Sequence, residues 1–274
     1  WQPVQQGSNQ MQPTVSVILP TYDRAYVLWK AVQSVLAQTY GEFELIVVDD
    51  GSTDCTSRLL EEFRDARIRE LETPNRGPSA ARNAGLELAE GEFVAYLDSD
   101  NTWKEGFLGH MLAAAQAEDS NMLWYCGADI TFWERSERGT WSIAERWREE
   151  REPYDLDDAW RFEAPDTNCI LHRREVAEAI GGWDENCRWL EDWDFFLRVC
   201  LEFSGQVSWV PEVLVDYRQV HGDGADGICA EAREDGAAEV AGRQYLLDKW
   251  GDHPDFAARD KLAMTEADLR RFRS

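Results

Sequence analysis

Apolar residues fall, over the first hundred positions, into short unbroken runs separated by segments of helical period. Residues 15–19 read as a buried strand that exits through Pro20, Thr21, Tyr22 and Asp23. Asp23 is placed to cap a helix whose apolar stripe is Val27, Leu28, Ala31, Val32, Val35 and Leu36, and Gly41 should stop it. Residues 43–48 are almost continuously apolar, as expected of a strand covered on both faces. The polar turn Asp49-Asp50-Gly51-Ser52-Thr53-Asp54 comes next, with Ser52 or Thr53 as the cap of a helix over 55–63. A weaker strand at 67–71, a helix from Ser79 to Leu88 and a strand at 93–97 complete the series. Alternation of this kind predicts an α/β fold, a mainly parallel central sheet with helices on both sides. In such sheets ligands gather beyond the carboxyl ends of the strands.

Beyond Trp103 the pattern loosens. Residues 122–130 and 167–171 read as strands, 192–203 as a helix, and 207–210 and 213–217 as two short strands, whereas the charged, tryptophan-rich stretch 133–165 resists assignment. A Gly-rich loop follows His221 and a charged helix or two should close the chain. The expected organisation is a linker over 1–13, a core domain over 14–220 and an extension over 221–274. Within the core, 14–110 would be the nucleotide-binding half and 111–220 an elaborated acceptor-side half. The polar, Gln-rich start before Gln12 reads as a linker or a truncation scar, so a longer parent chain is expected.

Composition narrows the possible partners. Fifty-three acids against 28 bases give a formal charge of -25, a field that repels nucleic acid and anionic membrane surfaces. The same field repels a nucleotide diphosphate, so such a ligand would need a metal ion and locally placed arginines. With only four lysines, the surface suggests either salt adaptation or a GC-rich genome. Mean hydropathy is -0.54 and no apolar run reaches the 18 or so residues of a membrane span. Six cysteines (Cys55, Cys126, Cys169, Cys187, Cys200, Cys229) lie far apart without a CxxC pair, which speaks for reduced thiols in a cytoplasmic protein.

The chemistry concentrates in Asp98-Ser99-Asp100, directly after the fourth strand. Side chains at i and i+2 of an extended chain point the same way, roughly 6 to 7 Å apart, so this pair can share a hydrated divalent ion and a sugar-phosphate. Four segments stand in register: Val15-Ser16-Val17-Ile18-Leu19-Pro20-Thr21-Tyr22-Asp23-Arg24, Val47-Val48-Asp49-Asp50-Gly51-Ser52-Thr53-Asp54, Asn75-Arg76-Gly77 with Ala81-Arg82-Asn83, and Asp98-Ser99-Asp100. Together they resemble the family 2 glycosyltransferases of GT-A fold. Leu190-Glu191-Asp192-Trp193-Asp194, ahead of Phe195-Phe196-Leu197-Arg198, resembles the acidic catalytic motif of that family and extends the similarity to about residue 220.

The resemblance implies inverting transfer of a sugar from a nucleotide diphosphate sugar, with Mn²⁺ or Mg²⁺ as cofactor. It implies Asp100 as metal ligand, with Asp98 on the ribose or on a metal-bound water, and Ser99 beside them. Asp50 would accept the imide proton of a uracil or thymine, pointing to a UDP- or dTDP-linked donor, while Pro20, Thr21 and Tyr22 line the base and Asp49 orders the turn. Arg82 would fork onto the diphosphate, with Arg76 the lesser candidate. Asp192 takes the position of the general base, with Glu191 as understudy. His221, after Tyr217-Arg218, stands where some relatives place a metal- or diphosphate-reaching histidine, although Gly222-Asp223-Gly224 replaces the serine-rich continuation expected there.

Trp103, Trp189 and Trp193 are candidate walls of the acceptor site. A QxxRW sequence, carried by processive synthases of the family, is missing, which favours one sugar per encounter. The acceptor would be a cell-surface glycan under assembly, a lipid carrier or a small molecule, reached in the cytoplasm or at the inner membrane face through a partner or a missing segment. The alternative is a catalytically silent nucleotide-sugar-binding or scaffolding domain. A nucleotidyltransferase would want a lysine-bearing phosphate loop, which Pro20 to Arg24 does not provide.

Overall fold

A computed structural model describes residues 13–135, 141–149, 159, 164–221 and 237–254, without the side chains of 134, 135, 141, 149, 220, 221 and 237–240. The expected linker up to residue 12, the Gly-rich loop after His221 and Cys229 lie outside the described residues. The first half runs β1 (Val15–Thr21), α1 (Ala25–Leu36), β2 (Phe43–Asp49), α2 (Thr56–Leu60), β3 (Ile68–Glu72), α3 (Pro78–Leu88), β4 (Phe93–Tyr96) and β5 (Thr102–Trp103). Then come α4 (Phe107–Ala117), β6 (Leu123–Arg135), β7 (Trp141–Glu149), a 3₁₀ turn (Thr167–Cys169), β8 (Ile170–Arg173), α5 (Arg174–Ile180), α6 (Glu191–Glu202), β9 (Val207–His221) and α7 (Ala237–Trp250). Among the described residues the strands form one sheet, ordered β3-β2-β1-β4-β8-β6-β9-β5, with β7 added to β6.

The continuous apolar strands are explained by two cores. Val15, Val17 and Leu19 of β1 and Leu45 and Val47 of β2 pack with Leu28, Val32 and Val35 of α1 and with Phe107 and Met111 of α4. The alternate residues Ile18, Ile46 and Val48 join Ala81 of α3, the Phe195–Val199 side of α6 and Leu246 of α7 on the opposite face. Period-2 alternation thus feeds both layers, and no polar face is left on the central strands.

The ladders from β3 to β4 are parallel, as expected. The second half is mixed: β8 runs antiparallel to both β4 and β6, and β7 antiparallel to β6, while β9 is parallel to β6. Strand order reverses between β1 and β4, the switch point where α/β sheets open a crevice. Pairing of β4 with β1 ends at Ile18 opposite Tyr96, whereas β1 stays with β2 as far as Thr21 opposite Asp49. That one-sided extension lets Pro20 sit inside a strand of a sheet interior, which was expected to be loop.

Several local expectations change for identifiable reasons. Asp23 does not cap α1. It sits at φ 50° and accepts from the N–H groups of Thr53 and Asp54 at 2.6 and 3.1 Å, while Asp54 receives the Ala25 N–H at 3.0 Å. The two loops therefore exchange carboxylates. Asp54 also takes the Thr56 N–H at 2.9 Å, the role expected of Ser52 or Thr53, and Ser52 Oγ instead receives the Asp23 N–H. α1 stops at Leu36, ahead of Gly41. The two expected strands after Val207 are one, because irregular pairing around Gly127 absorbs the Pro211 interruption as a bulge. Among the described residues Cys55, Cys126, Cys169, Cys187 and Cys200 form no disulfide, and no helix is long and apolar enough to cross a membrane.

Candidate active site

The ends of β1 and β2 stand at the switch point, where sheets of this kind open a crevice. Thr21 is buried and its Oγ1 has no hydrogen-bond partner among the described residues, and the same holds for Ser79 Oγ in the first turn of α3, whereas Tyr22 is 45% exposed. Buried hydroxyls without partners are expected where a ligand supplies the missing bond. Asp49 accepts the Ser52 N–H at 2.9 Å and so orders the turn, as anticipated.

Asp50 is nearly fully buried and busier than the sequence suggested. Its carboxylate accepts from Thr73 Oγ1 at 3.1 Å, from the Arg76 N–H at 3.1 Å and from the Gly77 N–H at 2.7 Å. These donors fill about three of its roughly four acceptor positions, leaving room for about one more, such as an imide. Asp50→Asn would point an amide donor at this nest of N–H groups. We expect it to cost about 1–3 kcal/mol of stability, read from the urea midpoint, in addition to any loss of nucleotide affinity.

The turn after β4 carries Asp98, Ser99 and Asp100 at the same end of the sheet, since β4 runs parallel to β1. Arg82, on α3, is 3% exposed and does not open its guanidinium to the cleft as expected of a diphosphate fork. One terminal nitrogen donates to Asp98 at 2.9 Å and the other to Glu191 at 2.9 Å, and the group lies 4.7 Å over the Trp183 ring. The two carboxylates hold the guanidinium well above its ordinary pKa even though burial pulls it down. Arg82 therefore joins the turn after β4 to the start of α6.

Two further residues, which sequence reasoning passed over, complete this cluster. Asn168 in the 3₁₀ turn is fully buried against Asp98, and Asp166 caps that turn by accepting the Asn168 N–H at 2.8 Å. Burial first, then the charges of Asp98 and Asp192, push the Asp166 carboxyl up to about 7. The run Asp166-Thr167-Asn168 is a local cap signature, but its last two residues read as the start of a strand over 167–171, which the 3₁₀ turn replaces as far as Cys169.

Asp100 also feels the crowding. Its carboxyl is pushed up to about 6 by burial and by Asp98, against the pull of Arg24 and Arg218. No three acidic, imidazole or thiol side chains among the described residues close on one point. The donor set nevertheless fits a hard divalent cation that draws further oxygens from a diphosphate, since such an ion relieves the carboxylate repulsion at Asp100. Asn101 Oδ1 accepts the Arg218 N–H at 2.8 Å, which ties β9 to this turn three residues before His221. The His221 side chain itself lies outside the described residues.

α6 brings the acidic motif. Leu190 adopts φ 63°, a left-handed conformation rare for a branched residue, and its carbonyl accepts the Asp194 N–H at 3.1 Å. Glu191, Asp192 and Asp194 then fall in the first helical turn, where the backbone N–H groups favour anions. Their fates differ. Glu191 is committed to Arg82, and fully buried Asp194 to Arg198 at 2.8 Å, Lys249 at 2.8 Å and the Trp250 indole at 3.0 Å. Asp192 keeps one local bond, from the Trp193 N–H at 2.8 Å, and burial together with the Glu191 charge pushes its carboxyl up to about 6.

The tryptophans singled out as acceptor walls mostly serve packing. Trp103 stacks on Phe107 with centroids 4.0 Å apart, and its indole donates to Asn168 O, while Trp193 is 2% exposed and donates to Ala159 O. Trp189 is partly buried and meets Gly242 of α7 so closely that a Cβ there would stand 2.7 Å from it.

Comparison with known proteins places this geometry. The family model described as glycosyl transferase family 2 matches residues 16–181. A glycosyltransferase of Nostoc sp., alr2836, is 32% identical over 249 residues, covering 85% of this chain and 74% of that protein. Several further relatives share a stretch that amounts to only 15 to 38% of their own length. Among solved structures, S. aureus TarS 1–349 in complex with UDP-GlcNAc aligns with a TM-score of 0.60 at 21% identity, over 91% of this chain and 77% of that one. The mannosyltransferase PcManGT of Pyrobaculum calidifontis, in complex with GDP-Man and Mn²⁺, aligns at 0.61 and 21% identity, over 86% and 65%. The sheet with its crevice at the β1–β4 switch point has the GT-A architecture, and the chain belongs to glycosyl transferase family 2.

Proposed function

We propose that the protein transfers a single sugar from a nucleotide diphosphate sugar to a hydroxyl acceptor, with inversion at the anomeric carbon and with Mn²⁺ or Mg²⁺ as cofactor. The observation that carries this reading is Arg82, which holds Asp98 of the donor turn and Glu191 of the acidic motif at 2.9 Å each and so sets Asp192 beside the donor crevice. Pro20, Thr21 and Tyr22 line the base, and the remaining acceptor position of Asp50 favours the imide of UDP or dTDP. Asp98 and Ser99 face the sugar-phosphate. Asp100, with His221 as a further ligand, would hold the cation, whose charge offsets the negative charge growing on the departing diphosphate.

Asp192 then acts as base. The acceptor oxygen attacks the anomeric carbon, its proton passes to the Asp192 carboxylate, and the bond from that carbon to the diphosphate oxygen breaks. A carboxyl raised toward neutrality receives a proton more readily than an ordinary aspartate, which suits the task. Glu191, occupied by Arg82, is the less suitable base. The acceptor is a glycan, lipid-linked or small-molecule hydroxyl, approaching from the β6–β7 side.

The test is a thermal-shift panel of UDP, dTDP, CDP and GDP, each with and without Mn²⁺, on the native protein and on Asp100→Ala. A pyrimidine diphosphate at about 100 times its Kd should add about 2.7 kcal/mol of stability in manganese. Asp100→Ala should remove that increment. Equal binding of UDP without metal would sink the cation role, and preference for GDP would reassign the base.

A further inference from the structure

The geometry points to Asn168 as a positioning residue for the cation-dependent step, one that fixes Asp98 and, through it, the Arg82 link to the base motif. This inference rests on the transferase reading above and deepens it.

Asn168 is 0% exposed, and its side chain is shared between two acids. Its Oδ1 accepts the Asp98 N–H at 2.7 Å, and its amide nitrogen donates to Asp98 Oδ2 at 3.1 Å and to Asp166 Oδ1 at 2.6 Å. The main chain is tied as well: its N–H donates to Asp166 Oδ1 at 2.8 Å and its carbonyl accepts the Trp103 indole at 2.8 Å. One side chain therefore sets both the backbone and the carboxylate of Asp98. With Oδ2 held, Oδ1 of Asp98 faces Arg82 at 2.9 Å, and Arg82 reaches Glu191.

An amide is the chemical type this place demands. It must accept from one N–H and donate between two carboxylates, and the reverse orientation would set NH₂ against the Asp98 N–H. Aspartate would add a third negative charge beside Asp98 and Asp166. Alanine would leave those carboxylates facing one another without a bridge. Asp98 would meet a metal-bound water beside Asp100, and groups that orient the carboxylates of a metal site from behind, without touching the ion, are the usual seat of this role.

The experiment compares Asn168→Asp, Asn168→Ala and the reciprocal pair Asp166→Asn with Asn168→Asp by calorimetric titration of UDP with and without Mn²⁺, alongside thermal unfolding. The single variants should lose about 10- to 100-fold of the manganese-dependent UDP affinity while metal-free affinity stays within about twofold. The reciprocal pair restores an amide–acid bond within the 3₁₀ turn and should recover melting temperature. It leaves a carboxylate against Asp98, so the manganese-dependent affinity should stay low.

Recovery of affinity in step with melting temperature would overturn the inference and make Asn168 a purely structural part of the turn. So would native-like manganese dependence in a folded single variant. If the native protein shows no manganese-dependent UDP binding, the transferase reading itself fails, an outcome separable from the others because it needs no variant.

Discussion

Asp192→Asn should lower the transfer rate by about 10²- to 10⁴-fold while leaving donor binding within about twofold. The amide keeps an oxygen to accept the Trp193 N–H, so the helix start survives, but it cannot take up the acceptor proton. In the native protein the rate should rise as pH climbs through about 6, because the carboxyl must lose its proton to serve as base, and it should then level off. The residual activity of the variant should lack that limb.

Stability should move the other way. A carboxyl whose folded pKa is raised above its ordinary value favours the folded state only while protonated, so stability is lost as pH rises from about 4 through about 6. The neutral isostere escapes this loss, and the variant should melt no lower than the native protein at pH 7. Near-normal turnover would hand the base role to another group.

Arg82→Met should have the largest effect on folding. Methionine approximates the length of the arginine stem but leaves Asp98 and Glu191 with no cation between them, in a place where Arg82 was almost wholly removed from water. Breaking a buried pair by removing one partner costs about 3–5 kcal/mol, because the surviving charges stay desolvated. The loss should be read from denaturant midpoints. Arg82 also restrains the upward shift at Asp192, so the variant's rate limb should move to higher pH. A cost below about 1 kcal/mol, or an unmoved limb, would show that the link between the two motifs is not what holds them. Arg82→Lys should fall between, since a single ammonium cannot reproduce the fork to two acids.

The donor half was legible because its signals are local. Runs such as Leu45 to Val48 announce strands buried on both faces, and Asp50 and Asp98 follow the carboxyl ends of parallel strands, as the strand alternation predicts. What could not be read was how the charges pair. Nothing in the sequence near Arg82 says that Glu191, 109 positions away, will claim it. The burial of Trp103 and Trp193 is equally non-local, since their indole partners are the carbonyls of Asn168 and Ala159. β7 did leave a trace, because Trp141, Ile143, Glu145 and Trp147 alternate with smaller or charged residues. Its residues 142–148 are exposed, however, so the alternation never sorted cleanly into apolar and polar faces.

β6 has a bearing on how such proteins diversify. Its first residues pair with β8 on one edge and its later residues pair with β7 on the same edge, while β9 follows the other edge throughout. β8 thus seals the donor half before the chain reaches the outer arm. The arm beyond Gly127 shares no pairing with β8, so a change confined to the β6–β7 hairpin would leave the seam between β4 and β8 in place.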